Sequence, residues 1–271
     1  MPELPEVETT LRGIQPLILN IKISQIIVRR PDLRWPVPVK KITQALEGNS
    51  FFDIRRRAKY LILTSDKGSL LIHLGMSGCL RIFPEHVKPK KHDHLDIIFN
   101  NGNLLRFTDP RRFGSFLWSK EPDKHHLIKN LGPEPLEDSF SGEYLFKKSR
   151  DRKVAVKNFI MNSKIVVGLG NIYASEALFN AGLRPQRNAC KITLEQAEFL
   201  CSSIKTLLRE SINQGGTTLR DFVGSNNNPG YFKQQLTVYG RKNKKCKSCS
   251  TLLKEIRIGQ RSSVYCPRCQ I

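Results

Sequence analysis

Four cysteines near the C-terminal end carry the plainest chemistry in the chain. Cys246 and Cys249, then Cys266 and Cys269, form two C-x-x-C pairs with sixteen residues between them, the spacing of a two-knuckle zinc ribbon. Each short turn lets two thiolates converge on one ion. Four soft thiolates close a tetrahedral shell with no place for water, so one zinc ion held here is structural and not catalytic. Disulfides do not suit a reducing compartment, and a redox centre needs only one C-x-x-C pair. Cys79, Cys190 and Cys201 are scattered and read as small core residues.

Other clusters stand out by type. Arg55-Arg56-Arg57-Ala58-Lys59 reads as the start of a strand with a solvated edge. Lys91-His92-Asp93-His94 puts two imidazoles on one strand face, but no third ligand lies nearby, which argues against a metal. Asp109-Pro110-Arg111-Arg112-Phe113-Gly114 interleaves guanidinium groups with a ring on a loop, a device that can fill a gap in a base stack. Gly168-Leu169-Gly170-Asn171 feeds a helix without the preceding strand of a βαβ unit, which excludes a nucleotide-cofactor site. With Asn171 as cap, that corner can offer N–H groups to a phosphate, or serve equally as an ordinary turn between helices.

These residues need elements to hold them. Leu4, Val7, Leu11 and Ile14 fall on one stripe of an N-terminal helix, and Pro2 and Pro5 are tolerated because a first turn lacks internal N–H partners. A strand-rich stretch follows to about residue 119, with turns at Ser65–Gly68 and Asn100–Asn103. Leu95, Ile97 and Phe99 alternate on one side of the second turn, Leu105 and Phe107 on the other, as in a sandwich or barrel. Residues 121–135 are polar and broken by Pro122, Gly132-Pro133 and Pro135, the mark of a linker. Thr193 to Gln196 has the form of a capping box, followed by Leu194, Ala197, Leu200, Ile204, Leu207, Leu208 and Ile212 on a helix that Gly215-Gly216 ends. Residues 217–233, with three Asn and Pro229-Gly230, read as a mobile loop. The expected organisation is α+β and multidomain: 1–120, a linker at 121–135, a helical domain at 136–235 and a zinc finger at 236–271.

Charge narrows the partner. The 271 residues hold 45 Lys+Arg against 24 Asp+Glu, a formal charge of +21. Residues 240–271 alone carry nine Lys/Arg and one acid. Such a balance favours a polyanion, nucleic acid above all. No apolar run approaches the ~18 residues of a membrane span, and the acidic start lacks a secretory h-region, so a cytoplasmic location is expected.

The ordered motifs identify a family. Pro2-Glu3-Leu4-Pro5-Glu6-Val7-Glu8, Ala58-Lys59-Tyr60-Leu61, His73-Leu74-Gly75-Met76-Ser77-Gly78, Lys91–His94 and Asp109–Gly114 all match it. So do Leu131–Pro135, Gly168–Glu176 and the four-cysteine end. From residue 2 to about 269 the chain resembles bacterial formamidopyrimidine-DNA glycosylase, also called 8-oxoguanine-DNA glycosylase. The resemblance implies an N-terminal β-sandwich carrying the first helix, a helix–two-turn–helix module and a zinc finger. It implies a monomer that removes oxidised purines from damaged double-stranded DNA and then cleaves the abasic strand, in the bacterial cytoplasm among nucleoid DNA. A sister family, endonuclease VIII, begins PEGPE and prefers oxidised pyrimidines; Leu4 here stands where that pattern has Gly, which favours the purine branch.

Roles follow from the resemblance position by position. Pro2 is the nucleophile once Met1 is removed, Glu3 the acid or base beside it, and Glu6 a supporting carboxylate. Lys59 assists β-elimination and Arg261 δ-elimination. His92, Arg111, Arg152, Lys157 and Asn171 fall at DNA-binding positions, Arg152 in place of a lysine common there. Met76, Arg111 and Phe113 match the wedge that fills the gap left by a flipped nucleotide. Taken without the resemblance, a Met-Pro start reads as a mere leader. A non-catalytic DNA-binding module would explain the charge and the ribbon but not the N-terminal string. A ribbon accessory to RNA or transcription would explain only the last 35 or so residues.

Overall fold

The computed structural model describes residues 2–216 and 235–271; the loop expected at 217–233 lies outside them. The described residues form two compact units, 2–129 with 214–216, and 130–213 with 235–271.

The first unit begins with helix α1 (Leu4–Ile18). Its stripe of Leu4, Val7, Leu11 and Ile14 is buried, worth about 1.5–3 kcal/mol for each fully covered side chain. Glu3 is the cap residue and not part of the helix: its extended backbone ends the preceding chain. The following elements are β1 (Ile23–Val28), α2 (Val39–Leu46), β2 (Asp53–Arg57), β3 (Tyr60–Ser65), β4 (Gly68–His73), β5 (Cys79–Pro84), β6 (Asp93–Phe99), β7 (Asn103–Thr108) and β8 (Ser115–Ser119). Two four-stranded antiparallel sheets result, ordered β1-β6-β7-β5 and β2-β3-β4-β8. Leu61, Leu63, Leu70, Ile72 and Phe116 of one sheet share a core with Leu95, Ile97, Phe99, Leu105 and Phe107 of the other. Phe107 meets Phe116 edge to face at 4.9 Å between ring centres, a favoured aromatic geometry.

Register decides which loops meet. Arg57 pairs with Tyr60, Tyr60 with His73, and His73 with Ser115, a row across one end of the second sheet. The connections leaving that end are Ala58-Lys59, residues 74–78 and residues 109–114. The Arg55–Lys59 cluster therefore does not start a strand. Its arginines end β2, and Ala58-Lys59 form the two-residue turn into β3, with Ala58 at φ 55°.

The second unit contains α3 (Gly142–Ser149), α4 (Val156–Ile160), α5 (Asn171–Asn180), α6 (Leu194–Asn213) and the hairpin β9 (Lys254–Ile258)–β10 (Arg261–Tyr265). α6 packs against α3 and α5, and α5 also touches β10. The Thr193–Gln196 box closes as read: Gln196 N–H donates to Thr193 Oγ1 at 3.2 Å, and Thr193 N–H donates to Gln196 Oε1 at 3.1 Å. The helix N-terminus at α5 differs from expectation. Gly170 is the cap and Asn171 the first helical residue, so the cap position has no side chain to accept the first N–H groups.

Candidate active site and nucleic-acid interface

Pro2 and Glu3 sit at the start of α1, both buried, with Glu3 only 2% exposed. Glu6, one turn along, accepts the Glu3 backbone N–H on Oε2 at 2.8 Å. This contact fixes the entry of the chain into the helix, and with it the direction in which Pro2 leaves. A Cβ built on Gly216 would stand 3.1 Å from Glu6 Oε1, so the end of the described chain before residue 217 lies against the same carboxylate.

Lys59 is tied to α1 through Arg56. The Arg56 guanidinium donates to Glu8 Oε2 at 2.9 Å and to the Ala58 carbonyl at 3.0 Å, bridging the helix to the turn that carries Lys59. Burial opposes ionisation of Glu8, but hydrogen bonds and charge from Arg56 and Arg12 hold its carboxyl below the usual carboxylate range. Tyr60 and His73, paired across β3 and β4, meet with ring centres 4.9 Å apart and planes tilted by 54°. Burial, with the charges of Lys59 and Arg34, pushes His73 down to about 4. A neutral ring results, and its Nδ1 accepts the Gly75 N–H at 3.0 Å.

Met76, Arg111 and Phe113 come together on two adjoining loops. A Cβ on Gly75, whose φ is 67°, would lie 2.4 Å from the Phe113 carbonyl carbon, so the two backbones touch. Met76 is 37% and Phe113 41% exposed, so adjoining loops each present a large apolar side chain to solvent. The Arg111 guanidinium lies over the Phe113 ring, 5.0 Å from its centre. Beneath them Asp109 is fully buried and accepts hydrogen bonds from Ser77 Oγ at 2.6 Å and Gly114 N–H at 2.8 Å.

His92 and His94 do not share a strand face. β6 begins at Asp93, and a register shift between Asp93 and Leu95 turns His94 inward, where Nε2 meets the Asp109 carbonyl at 2.7 Å. His92 stays half-buried in a cleft of about 420 Å³ with Arg29, Arg30, Lys90, Lys91 and Arg112. This cleft is suited to a phosphate chain.

Arg152, Lys157, Asn171 and Arg261 belong to the second unit. Arg152 is exposed after α3. Asn171 is partly buried, and its Oδ1 has no hydrogen-bond partner among the described residues. Lys157 departs from the expectation of a phosphate contact. It is 1% exposed, and its ammonium donates to the Ser263 hydroxyl at 2.7 Å and the Ser262 carbonyl at 3.2 Å. That ammonium is turned inward, onto the β9–β10 hairpin. It instead fixes the strand that Arg261 begins. Arg261 itself is exposed beside the Gly259-Gln260 turn.

The four cysteine sulfurs lie within 4.8 Å of one another, with Cys246–Cys269 at 3.9 Å and Cys249–Cys266 at 3.5 Å. Zn–S bonds of ~2.3 Å place tetrahedral sulfurs ~3.8 Å apart, so the set fits one structural zinc ion. Arg184 donates to the Gln270 and Pro267 carbonyls at 2.8 and 3.0 Å, anchoring the ribbon beside α5. Glu176 of α5 accepts the N–H groups of Thr237, Val238 and Tyr239 at 2.7–2.9 Å.

Asp109, Glu176 and His73 are the organising residues that type and spacing did not assign. The motifs contain all three, but nothing local reveals that Asp109 reaches the Ser77 hydroxyl 32 positions away or that Glu176 accepts N–H groups more than 60 positions along.

The family is settled by comparison. Residues 1–116 match the formamidopyrimidine-DNA glycosylase N-terminal domain, 131–223 its H2TH domain, and 243–271 a zinc finger found in FPG and IleRS. Formamidopyrimidine-DNA glycosylase of Magnetococcus marinus is 52% identical over 273 residues, covering 100% of this chain and 99% of its own length. That of Glaesserella parasuis is 53% identical over 272 residues, covering 100% and 98%. A Lactococcus lactis FPG mutant solved with Fapy-dG-containing DNA superposes with a TM-score of 0.93 at 30% identity, over 99% of both chains. Thermus thermophilus MutM gives 0.88 at 34% identity, over 99% of this chain and 98% of its own. This chain belongs to the formamidopyrimidine-DNA glycosylase family.

Proposed function

We propose that the chain excises oxidised purines, 8-oxoguanine and formamidopyrimidines, from duplex DNA and cuts the strand at the resulting abasic site. The observation that carries this reading is the buried Pro2–Glu3 start of α1, with the Arg56 bridge tying the Lys59 turn to the same helix. Related enzymes were solved with Fapy-dG-containing and carbocyclic 8-oxo-G-containing DNA. No described helix is long and apolar enough to cross a membrane; the bacterial cytoplasm, with its nucleoid DNA, is the fitting workplace.

With Met1 removed, the Pro2 nitrogen is a terminal secondary amine, and such amines have pKa values near ~8, far below that of a lysine. A useful fraction is neutral at pH 7 without a buried lysine. Its lone pair forms the bond to sugar C1′ as the bond to the damaged base breaks. Glu3 handles the proton traffic that base departure requires. The C1′–O4′ bond then breaks, its electron pair and a proton going to O4′, and the C1′ iminium left on Pro2 acidifies the C2′ proton. β-Elimination, with Lys59 delivering or taking a proton, breaks the 3′ phosphate bond, and δ-elimination assisted by Arg261 breaks the 5′ bond. Met76, Arg111 and Phe113 occupy the space the flipped nucleotide vacates. Arg111, His92, Arg152 and Asn171 hold phosphates, and Lys157 acts from inside by placing the Arg261 strand. Zinc, when bound, stiffens the ribbon and supplies no chemistry to the reaction.

Borohydride should trap a covalent protein–DNA adduct through Pro2. Efficient cleavage with no adduct would remove Pro2 as nucleophile, as would full activity of Pro2→Gly carrying an N-terminal acetyl group.

A further inference from the structure

We propose that Asp109 is a positioning residue that locks Met76, Arg111 and Phe113 into one wedge, with Ser77 and His94 as its partners. The inference rests on the wedge reading above and deepens it. Each wedge residue either donates to this carboxylate itself or adjoins a residue that does. Ser77, next to Met76, donates its hydroxyl to Asp109 Oδ1 at 2.6 Å. Arg111 donates its own N–H to Oδ1 at 3.2 Å and shares it with Ser77 Oγ at 3.3 Å. Gly114, next to Phe113, donates to Oδ2 at 2.8 Å. A single buried side chain thus binds both loops.

The backbone of Asp109 is held as firmly. Its carbonyl accepts from His94 Nε2 at 2.7 Å. A carbonyl cannot donate, so His94 carries a hydrogen on Nε2. Its inward turn at the β6 bulge serves this contact. Between the held points, Arg112 adopts φ 58°, a left-handed conformation disfavoured for a residue with a Cβ. Such strain persists where its surroundings over-determine it. Phe113 and Met76 are only partly covered by their neighbours, so the backbone from which they project sets where they stand. Their position comes from below, through Asp109.

Asp109→Asn turns one acceptor oxygen into a donor and cannot satisfy all three partners. On a duplex containing one 8-oxoguanine, the zinc-loaded full-length variant should lose ~10- to 100-fold in kcat/KM, the worth of one or two hydrogen bonds to a charged group. The loss on a single-stranded abasic substrate, which needs no wedge, should be at least several-fold smaller. The deciding measurement is the double-mutant cycle with Phe113→Ala. If Asp109 acts through the wedge, Asp109→Asn should cost at least several-fold less on the Phe113→Ala background than in the parent, because only Met76 and Arg111 are then left for it to position. Ser77→Ala, which removes one hydroxyl and keeps the carboxylate, should show the same non-additivity at smaller size, and carries the test if Asp109→Asn melts early. Equal costs with and without Phe113 overturn the inference and leave Asp109 as general support for the fold, with the wedge intact. Should Phe113→Ala alone leave duplex excision unchanged, the wedge reading fails first, and the positioning role with it.

Discussion

Two regions each hold an exposed arginine on a tight turn, and they do it by different means. In the first unit, Arg111 stands on a loop fixed by one buried carboxylate, set into a sandwich whose core contains twenty-five buried apolar residues among those described. In the second, Arg261 stands on a hairpin whose local core contains six, two of them the metal-site cysteines Cys246 and Cys266. A core that small cannot order its own strands. Four thiolates and an ion take over, and metal binding becomes folding energy. Hydrogen bonds suffice where burial is plentiful, and coordination replaces them where it is not.

The largest effect expected should test whether the chemistry sits on the sandwich side alone. Glu3→Gln keeps shape but cannot exchange a proton as a carboxyl group does. Excision of 8-oxoguanine should fall ~100- to 10,000-fold, while cleavage of a preformed abasic site stays measurable. Equal losses on the two substrates would make Glu3 a structural carboxylate and blur the division between units.

Metal removal tests the other side. Cys249→Ala should lose zinc and weaken duplex binding roughly 10- to 100-fold, the worth of one well-placed contact, while the sandwich keeps its own thermal transition. Normal cleavage by a zinc-free variant would show that the ribbon orders itself, and the contrast would collapse.

Acid should strike the sandwich through His73. Its folded pKa of about 4 lies below the unfolded value near 6.5, so the unfolded chain takes up the proton first. The contribution is complete above pH 6.5 and is lost as pH falls toward 4, amounting to about 2 kcal/mol by pH 5. Denaturant titrations at pH 7 and 5 should show that loss, and His73→Gln should flatten it. The smallest effect expected is Thr193→Ala, which removes the α6 cap and should cost about 1 kcal/mol in the helical unit.

What could be read from the chain divides by distance along it. The α1 stripe, the Thr193–Gln196 box and the Cys pairs depend on residues three or four apart, and spacing displays them. The Asp109–Ser77 bond spans 32 positions, and the Lys157–Ser263 bond 106. Neither has a period, so a buried ammonium passed for a surface cation. Turn chemistry misled in a different way. Ala58 takes a left-handed conformation that glycine or asparagine usually signals, and without that signal nothing in the sequence marks the end of β2. At α5 the cap lies one residue earlier than Asn171, because Gly170 takes the extended backbone the position requires.

Gly75 has a consequence for sequence drift. Any single-base change that replaces a glycine codon with another residue's adds at least a Cβ, and here a Cβ would overlap the Phe113–Gly114 backbone at 2.4–2.5 Å. The side chains open to it in one step are therefore all blocked by main chain, which cannot rotate aside as a side chain can. Position 75 is a dead end for isolated mutation. The two loops can diversify only as a pair, through a prior shortening or displacement of residues 109–114 that opens the space first.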